Sequence, residues 1–273
     1  MNGEGTIAAA IQMVSCGGIE QNFKDALSHL NYAVMERGAN LLVYPENFLC
    51  FGKSEQSNLA KNLPYYLEKF QRIAADLSVT LVLGSMPTYT REDGSQTDGR
   101  FRSASFVINK LGDICAQYDK IHLFDVDIND AQGCYRESDD FEPGGAIKVV
   151  EASGCYLGLS ICYDLRFPSL FQELRLAGAN VIVVPAAFTK VTGKAHWEVL
   201  LRARAIETQS YVVAANQGGQ HDDQRETWGH SMIVNPWGEI IAKHEVGKGV
   251  CSAKLDFDQL LDIRASIPVN QYD

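Results

Sequence analysis

Three residues of this chain are of types that together can carry out nucleophilic attack on a carbonyl. They are a glutamate in YPENF (Glu46), a lysine in YDKIHLFD (Lys120) and a cysteine in LSICYDLRFP (Cys162). A thiol must lose its proton to attack a carbonyl, and the oxyanion that forms needs a positive or hydrogen-bonding partner. Glutamate as base, lysine as oxyanion partner and cysteine as nucleophile fill those roles without a histidine. LGLSICYDLRFP (157–168) puts Cys162 where an apolar run ends and polar residues and a proline follow, which predicts a strand end at an open edge with a helix about to begin. That helix can offer backbone N–H groups to a developing negative charge. Singly, each residue has an ordinary reading: free cysteine is usually a small core hydrophobe, and Glu or Lys near a strand end is usually solvated. The three gain weight together because parallel strands in α/β folds deliver their C-terminal ends to one side.

The elements that must position them show an internal echo. GANLLVYPENF (38–48) matches GANVIVVPAAF (178–188), and farther on SFVINKLGDICAQY (105–118) resembles SMIVNPWGEIIAKH (231–244). The first pair reads as a helix end, a buried strand and a loop; NFKDALSHLNYAVMERG and PSLFQELRLAG, the preceding segments, have helical spacing and run into Gly. Pro168 suits the first turn of the second of these helices. The second pair reads as a β-hairpin with Lys-Leu-Gly-Asp and Pro-Trp-Gly-Glu at its turns. LLVY and VIVV, apolar at every position, suit strands covered on both faces. Together these predict an α/β fold of two pseudo-duplicated halves, with two sheets face to face and helices outside. The halves differ at the matched loop, where Pro45-Glu46 stands opposite Pro185-Ala186.

Composition sets the bounds. The 273 residues are 46% hydrophobic and 21% charged, with a formal net charge of -10, which argues against nucleic-acid and membrane-surface binding. The start, MNGEGTIAAAIQMV, does not read as a signal peptide, and no apolar run reaches the roughly 20 residues of a membrane span. The seven cysteines are scattered with no CxxC pair, so reduced thiols and a cytoplasmic location are expected rather than a disulfide framework or a zinc site. TREDGSQTDGR (90–100) reads as a surface loop, and no linker divides the chain. Ser231 in GHSM lacks the final glycine of a serine-hydrolase elbow, since Ile233 stands there. His196, followed by Trp197, could suggest a Cys-His pair with Cys162. There is no GxGxxG and no P-loop.

YPENF, YDKIHLFD and LSICYDLRFP resemble the three catalytic motifs of the nitrilase, or carbon-nitrogen hydrolase, superfamily. The resemblance runs from IAAAIQM to IRASIPV and includes HWEVLLRARAIETQ and GHSMIVNPWGE. It implies an αββα sandwich forming a single domain over residues 1–273. It also implies that Glu46 is the general base, Lys120 the oxyanion and positioning residue and Cys162 the nucleophile, with Glu137 in CYRESDDFEPG as a supporting glutamate. The implied reaction is hydrolysis of the terminal amide of a small acidic molecule through a cysteine thioester, with no metal or organic cofactor. A catalytically silent binding or scaffold protein is the alternative from another class. For an acidic substrate, Arg166 is the expected anion clamp, with a surface or interface salt bridge as its other reading. The backbone N–H of Tyr163 is expected at the oxyanion, and the AFTKVTG loop (186–193) supplies Thr189 and Thr192 as pocket donors. The region from Ile128 to Gly133 reads as a substrate-side loop. The resemblance further implies a homodimer or larger homo-oligomer packed through helices near the nucleophile.

Overall fold

A computed structural model describes residues 5–128, 133–222 and 224–269. In chain order the first half builds β1 (Ile7–Gln12), α1 (Ile19–Met35), β2 (Leu41–Val43), α2 (Gln56–Leu77), β3 (Thr80–Thr88), β4 (Arg102–Ile108) and β5 (Ile114–Asp119). A short ribbon follows, β6 (Asp125–Asp127) and β7 (Cys134–Arg136). The second half builds β8 (Val149–Ala152), β9 (Cys155–Leu159), α3 (Pro168–Leu176), β10 (Val181–Ala186), α4 (Lys190–Thr192), α5 (Glu198–Thr208), β11 (Tyr211–Asn216), β12 (Ser231–Val234) and β13 (Ile240–His244). The last two elements are β14 (Gly249–Lys254) and α6 (Phe257–Ser266).

The strands form two six-stranded sheets of matching order, β14-β1-β2-β3-β4-β5 and β8-β9-β10-β11-β12-β13. In each, three parallel strands lead into two antiparallel ones, and an antiparallel strand closes the other edge. The echoed segments fall on equivalent elements: β2 and β10 are the middle strands of the two trios, and β4-β5 and β12-β13 are the two hairpins. The expected duplication is the observed one.

Burial explains why these strands are apolar throughout. Leu41 and Val43 of β2 join the core between the sheets with Val181, Val183 and Val213. Leu42, between them, faces the other way and packs with Phe23 and Leu30 of α1 and Phe70 of α2. Period-two alternation therefore feeds two apolar layers at once. Helix α1 forms because Ile19, Phe23, Ala26, Leu30 and Ala33 recur at helical spacing, and all five are buried. On the far side α3 contributes Leu170, Phe171 and Leu174, and α5 contributes Leu201 and Ala205. Among the described residues, no helix is long and apolar enough to cross a membrane.

Two glycines allow the close approaches that set the functional loops. A Cβ on Gly84 would lie 1.9 Å from the carbonyl oxygen of Pro45, so only glycine lets β3 pass the turn that carries Glu46. A Cβ on Gly144 would lie 2.0 Å from the carbonyl oxygen of Asp119, beside Lys120.

Candidate active site

Lys120 follows β5 directly and is 2% exposed, so the solvated strand-end reading does not describe it. Its backbone is held on both sides: its N–H donates to the Ser103 carbonyl at 2.9 Å and its carbonyl accepts from Gly144 N–H at 2.7 Å. Its Nζ donates to Glu46 Oε1 at 2.8 Å and to Glu137 Oε2 at 2.9 Å. Glu46 lies just past β2 and is 4% exposed. Its carbonyl accepts from the Gln217 amide at 3.1 Å, and the following N–H, that of Asn47, donates to Ser85 Oγ at 3.1 Å. Glu137, placed by the turn after β7, also accepts from the Phe124 N–H at 2.6 Å. Lys120 is thus clasped by two carboxylates, and all three groups line one cavity with Cys162.

Cys162 opens a 3₁₀ turn, Cys162–Arg166, that leads through Phe167 into α3. The thiol is 7% exposed, so the expected open edge is the floor of a pocket instead. The residue takes φ 47°, a left-handed conformation that costs a non-glycine residue about 1–3 kcal/mol. That cost is borne where the chain must swing the side chain off the end of β9.

The electrostatics follow from burial. Desolvation opposes the Lys120 charge, but the carboxylates of Glu137 and Glu46 outweigh it and hold the ammonium well above its usual pKa. Desolvation also raises the Glu137 carboxyl, against the pull of Lys120. The Cys162 thiol is pushed well above its usual value, first by burial and then by the Glu46 charge; Lys120 and the Ala187 backbone N–H act the other way. Cys162 therefore rests as a thiol beside Glu46, and an attack by its sulfur would require that proton to leave.

Asp164, to which the motifs assigned no role, locks this arrangement. Its side chain is fully buried; Oδ2 accepts from Tyr118 O–H and Ile161 N–H, both at 2.8 Å. Its Oδ1 accepts from His122 N–H at 3.0 Å and lies 2.7 Å from His122 Nδ1, which must carry the proton because a carboxylate only accepts. Tyr118 and His122 flank Lys120 along the chain, and Ile161 precedes Cys162. One carboxylate thus ties the strand end of the amine to the turn of the thiol. An aspartate beside a turn and a proline reads as turn chemistry, so the sequence signal for this role was faint.

The cavity has a volume of about 340 Å³. Tyr163, Arg166, Thr189 and Thr192 all line it. Among the described residues no carboxylate of this chain pairs with Arg166. Its Nη1 lies 3.2 Å from His196 Nδ1, and its Cζ lies over the rings of Phe188 and Tyr163 at 5.3 and 5.9 Å. Thr189 and Thr192 hydrogen-bond to each other at 2.9 Å, so one hydroxyl proton is already used within the pair. Their segment is not a plain loop: α4 runs into a wide helical turn, Gly193–Trp197, that carries His196. Ser231 is buried at the start of β12, where its Oγ accepts from Asn216 N–H. Of the expected substrate-side loop from Ile128 to Gly133, residues 129–132 lie outside the described residues. None of the seven cysteines is in a disulfide.

Comparison with known proteins gives this geometry a context. A family model described as carbon-nitrogen hydrolase matches residues 7–265. The chain is similar to the deaminated glutathione amidase of Yersinia enterocolitica, 41% identical over 94% of this chain and 90% of that protein. It is likewise similar to the deaminated glutathione amidase of Bos taurus, 40% identical over 97% of this chain and 81% of that one. Among solved structures, the C. elegans NitFhit protein superposes with a TM-score of 0.89 at 36% identity, over the whole of this chain and 66% of that one. A mutant amidase from Nesterenkonia sp. AN1, with acrylamide added at its active-site cysteine, gives 0.77 at 25% identity, over 97% of this chain and 99% of that one.

Proposed function

Because the chain belongs to the carbon-nitrogen hydrolase family, and so is a hydrolase of carbon–nitrogen bonds, we propose that it is an amidase acting on deaminated glutathione through Cys162, Glu46 and Lys120. The observation that carries the chemistry is the buried Glu46–Lys120–Glu137 cluster, at 2.8 and 2.9 Å, lining one cavity with the Cys162 thiol. The substrate follows from the relatives named above, and a cavity of about 340 Å³ has room for a tripeptide-sized molecule better than for a simple amide.

Cys162 attacks the amide carbonyl while Glu46 accepts the thiol proton. The Lys120 ammonium meets the oxyanion, with the backbone N–H of Tyr163 at the start of the turn as second donor. Glu46 returns the proton to the departing nitrogen, leaving a thioester; a water activated by Glu46 then hydrolyses it. In deaminated glutathione the scissile amide is internal, so the leaving group is the amine of cysteinylglycine and not the ammonia expected for a terminal amide. The acid released is 2-oxoglutarate. Glu137 holds the Lys120 ammonium in place, and Arg166 binds the carboxylate of the acyl half. Thr189 and Thr192 present their remaining hydroxyl capacity to the same cavity.

The cytoplasm is the proposed compartment, supported by seven cysteines none of which is in a disulfide. The proposed assembly is a homodimer, supported by the apolar side chains that α3 and α5 expose, Leu176, Val199 and Ile206. The test is product release from deaminated glutathione, 2-oxoglutaramate, a simple amide and a nitrile in parallel. Cysteinylglycine and 2-oxoglutarate in equal amounts from the first, at the highest kcat/KM, are expected. A higher kcat/KM on 2-oxoglutaramate would replace this substrate with a smaller 2-oxo acid amide.

A further inference from the structure

Arg166 is walled by two rings and held by one imidazole. Its Cζ lies 5.3 Å from the Phe188 ring centroid and 5.9 Å from that of Tyr163. Both rings are themselves braced: Phe188 packs against Trp197 at 4.8 Å, and Tyr163 against Phe124 and Phe167 at 5.1 and 5.4 Å. A ring face attracts a guanidinium without selecting the direction of its N–H groups. A hydrogen bond does select one, and among the described residues Arg166 has one such partner, His196 Nδ1 at 3.2 Å. A guanidinium only donates, so Nδ1 accepts and the imidazole proton sits on Nε2. His196 is carried by the wide helical turn Gly193–Trp197, a form frequently found at functional sites. That turn is fixed at both ends. A Cβ on Gly193 would lie 2.2 Å from the Trp228 side chain, and Trp197, fully buried, donates its Nε1–H to the His230 carbonyl at 2.8 Å. His196 is exposed and stands outside the lining of the cavity, whereas Arg166 is part of that lining. The bond from Nη1 to the imidazole leaves the other N–H groups of Arg166 for a planar anion.

We propose that His196 is a positioning residue for the acyl half of the substrate: by holding Nη1 it fixes the direction in which Arg166 offers its remaining N–H groups, and so makes the enzyme prefer amides whose acyl half bears a carboxylate. This rests on the reading of Arg166 as the carboxylate clamp and deepens it. Without the imidazole the two rings still retain the guanidinium beside the cavity, but it turns among several orientations. A bidentate bond to a carboxylate forms from only a fraction of them, and apparent affinity falls by that fraction. The loss therefore lies in binding of the acidic acyl half. Attack by Cys162 on a substrate without that carboxylate does not involve the pair.

The test is steady-state kinetics of wild type, His196→Leu and His196→Asn on deaminated glutathione and 2-oxoglutaramate, with acylation by an uncharged reactive ester measured alongside. Leucine removes the acceptor, whereas the asparagine Oδ1 stands close to the place of Nδ1 and accepts in its stead. His196→Leu should raise KM for both acidic amides about two- to tenfold, the range of one net hydrogen bond, with little change in kcat. His196→Asn should stay near wild type, and ester acylation should be the same for all three proteins. In an Arg166→Gln background His196→Leu should add nothing, because the imidazole acts only through that guanidinium. The proposal is overturned by an unchanged KM in His196→Leu, a rise that asparagine does not rescue, a rise that persists in full without Arg166, or slowed ester acylation. If Arg166→Gln leaves KM for both acidic amides unchanged, the clamp reading fails and takes this proposal with it, while the amidase reading stands. If the wild type hydrolyses neither acidic amide, the substrate reading itself falls, and this proposal falls with it.

Discussion

The Cys162 thiol is held above its usual pKa, and the cause is divided between burial and the neighbouring Glu46 charge. That division makes a prediction of opposite signs. Glu46→Gln removes a negative charge that disfavours the thiolate, so the Cys162 thiol should titrate lower and react faster with iodoacetamide at a fixed pH. The same variant has no proton acceptor for the attack, so amide hydrolysis should fall by about 10²–10⁴, the usual contribution of a general base. Alkylation that slows along with hydrolysis would show that Glu46 does not face the thiol as described. Arg166 should behave differently. Arg166→Lys keeps the charge and loses the planar fork, so KM for both deaminated glutathione and 2-oxoglutaramate should rise about tenfold. Acylation by an uncharged reactive ester should be unchanged. Loss of that acylation as well would place Arg166 in the chemistry or the fold and remove it as a clamp.

At the scale of elements, the site depends on backbones that pass unusually close to one another. Gly144 and Gly145 are adjacent and make a controlled comparison. A Cβ on Gly144 meets the Asp119 carbonyl oxygen at 2.0 Å, whereas a Cβ on Gly145 meets nothing within 4 Å. Gly144→Ala must displace the chain next to Lys120, whose carbonyl also accepts the Gly144 N–H. The expected result is a lower melting temperature together with a loss of kcat, while Gly145→Ala stays near wild type in both. Equal effects of the two variants would mean that the segment is free to shift and does not hold Lys120. Asp164 is the other device at this scale, since it joins the Tyr118–His122 stretch to the Cys162 turn through four contacts.

For the molecule as a whole, the duplication and the three motif residues were legible in the sequence for a physical reason. Strands buried on both faces must be apolar at every position, so LLVY and VIVV announce themselves, and their C-terminal ends share a side. The Glu46, Lys120 and Cys162 positions follow from that architecture, and Glu137 was found through its motif. What stayed illegible depends on partners distant in the chain. Phe51, His221 and Arg225 stack across some 170 residues of sequence, and nothing local marks them as a unit. The depth of Cys162 was also misjudged, because a strand end looks open until the β6–β7 ribbon and the 225–227 segment are placed around it. The apolar exposure on α3 and α5 makes a prediction at this scale too. Val199→Asp, at a position 67% exposed, should convert a dimer to a folded monomer in sedimentation velocity. An unchanged sedimentation coefficient would move the interface elsewhere or make the wild type a monomer. The most direct test of the chemistry is cysteinylglycine release from deaminated glutathione by Cys162→Ala, with the fold checked by circular dichroism. Cys162 is the cavity thiol beside Glu46 and Lys120, whereas the other cavity thiol, Cys134, sits beside Asp127 and Arg136, so the expected result is release at the uncatalysed background. Release within about a hundredfold of the wild-type rate, the scale of losing one auxiliary group rather than the nucleophile, would contradict a Cys162 thioester.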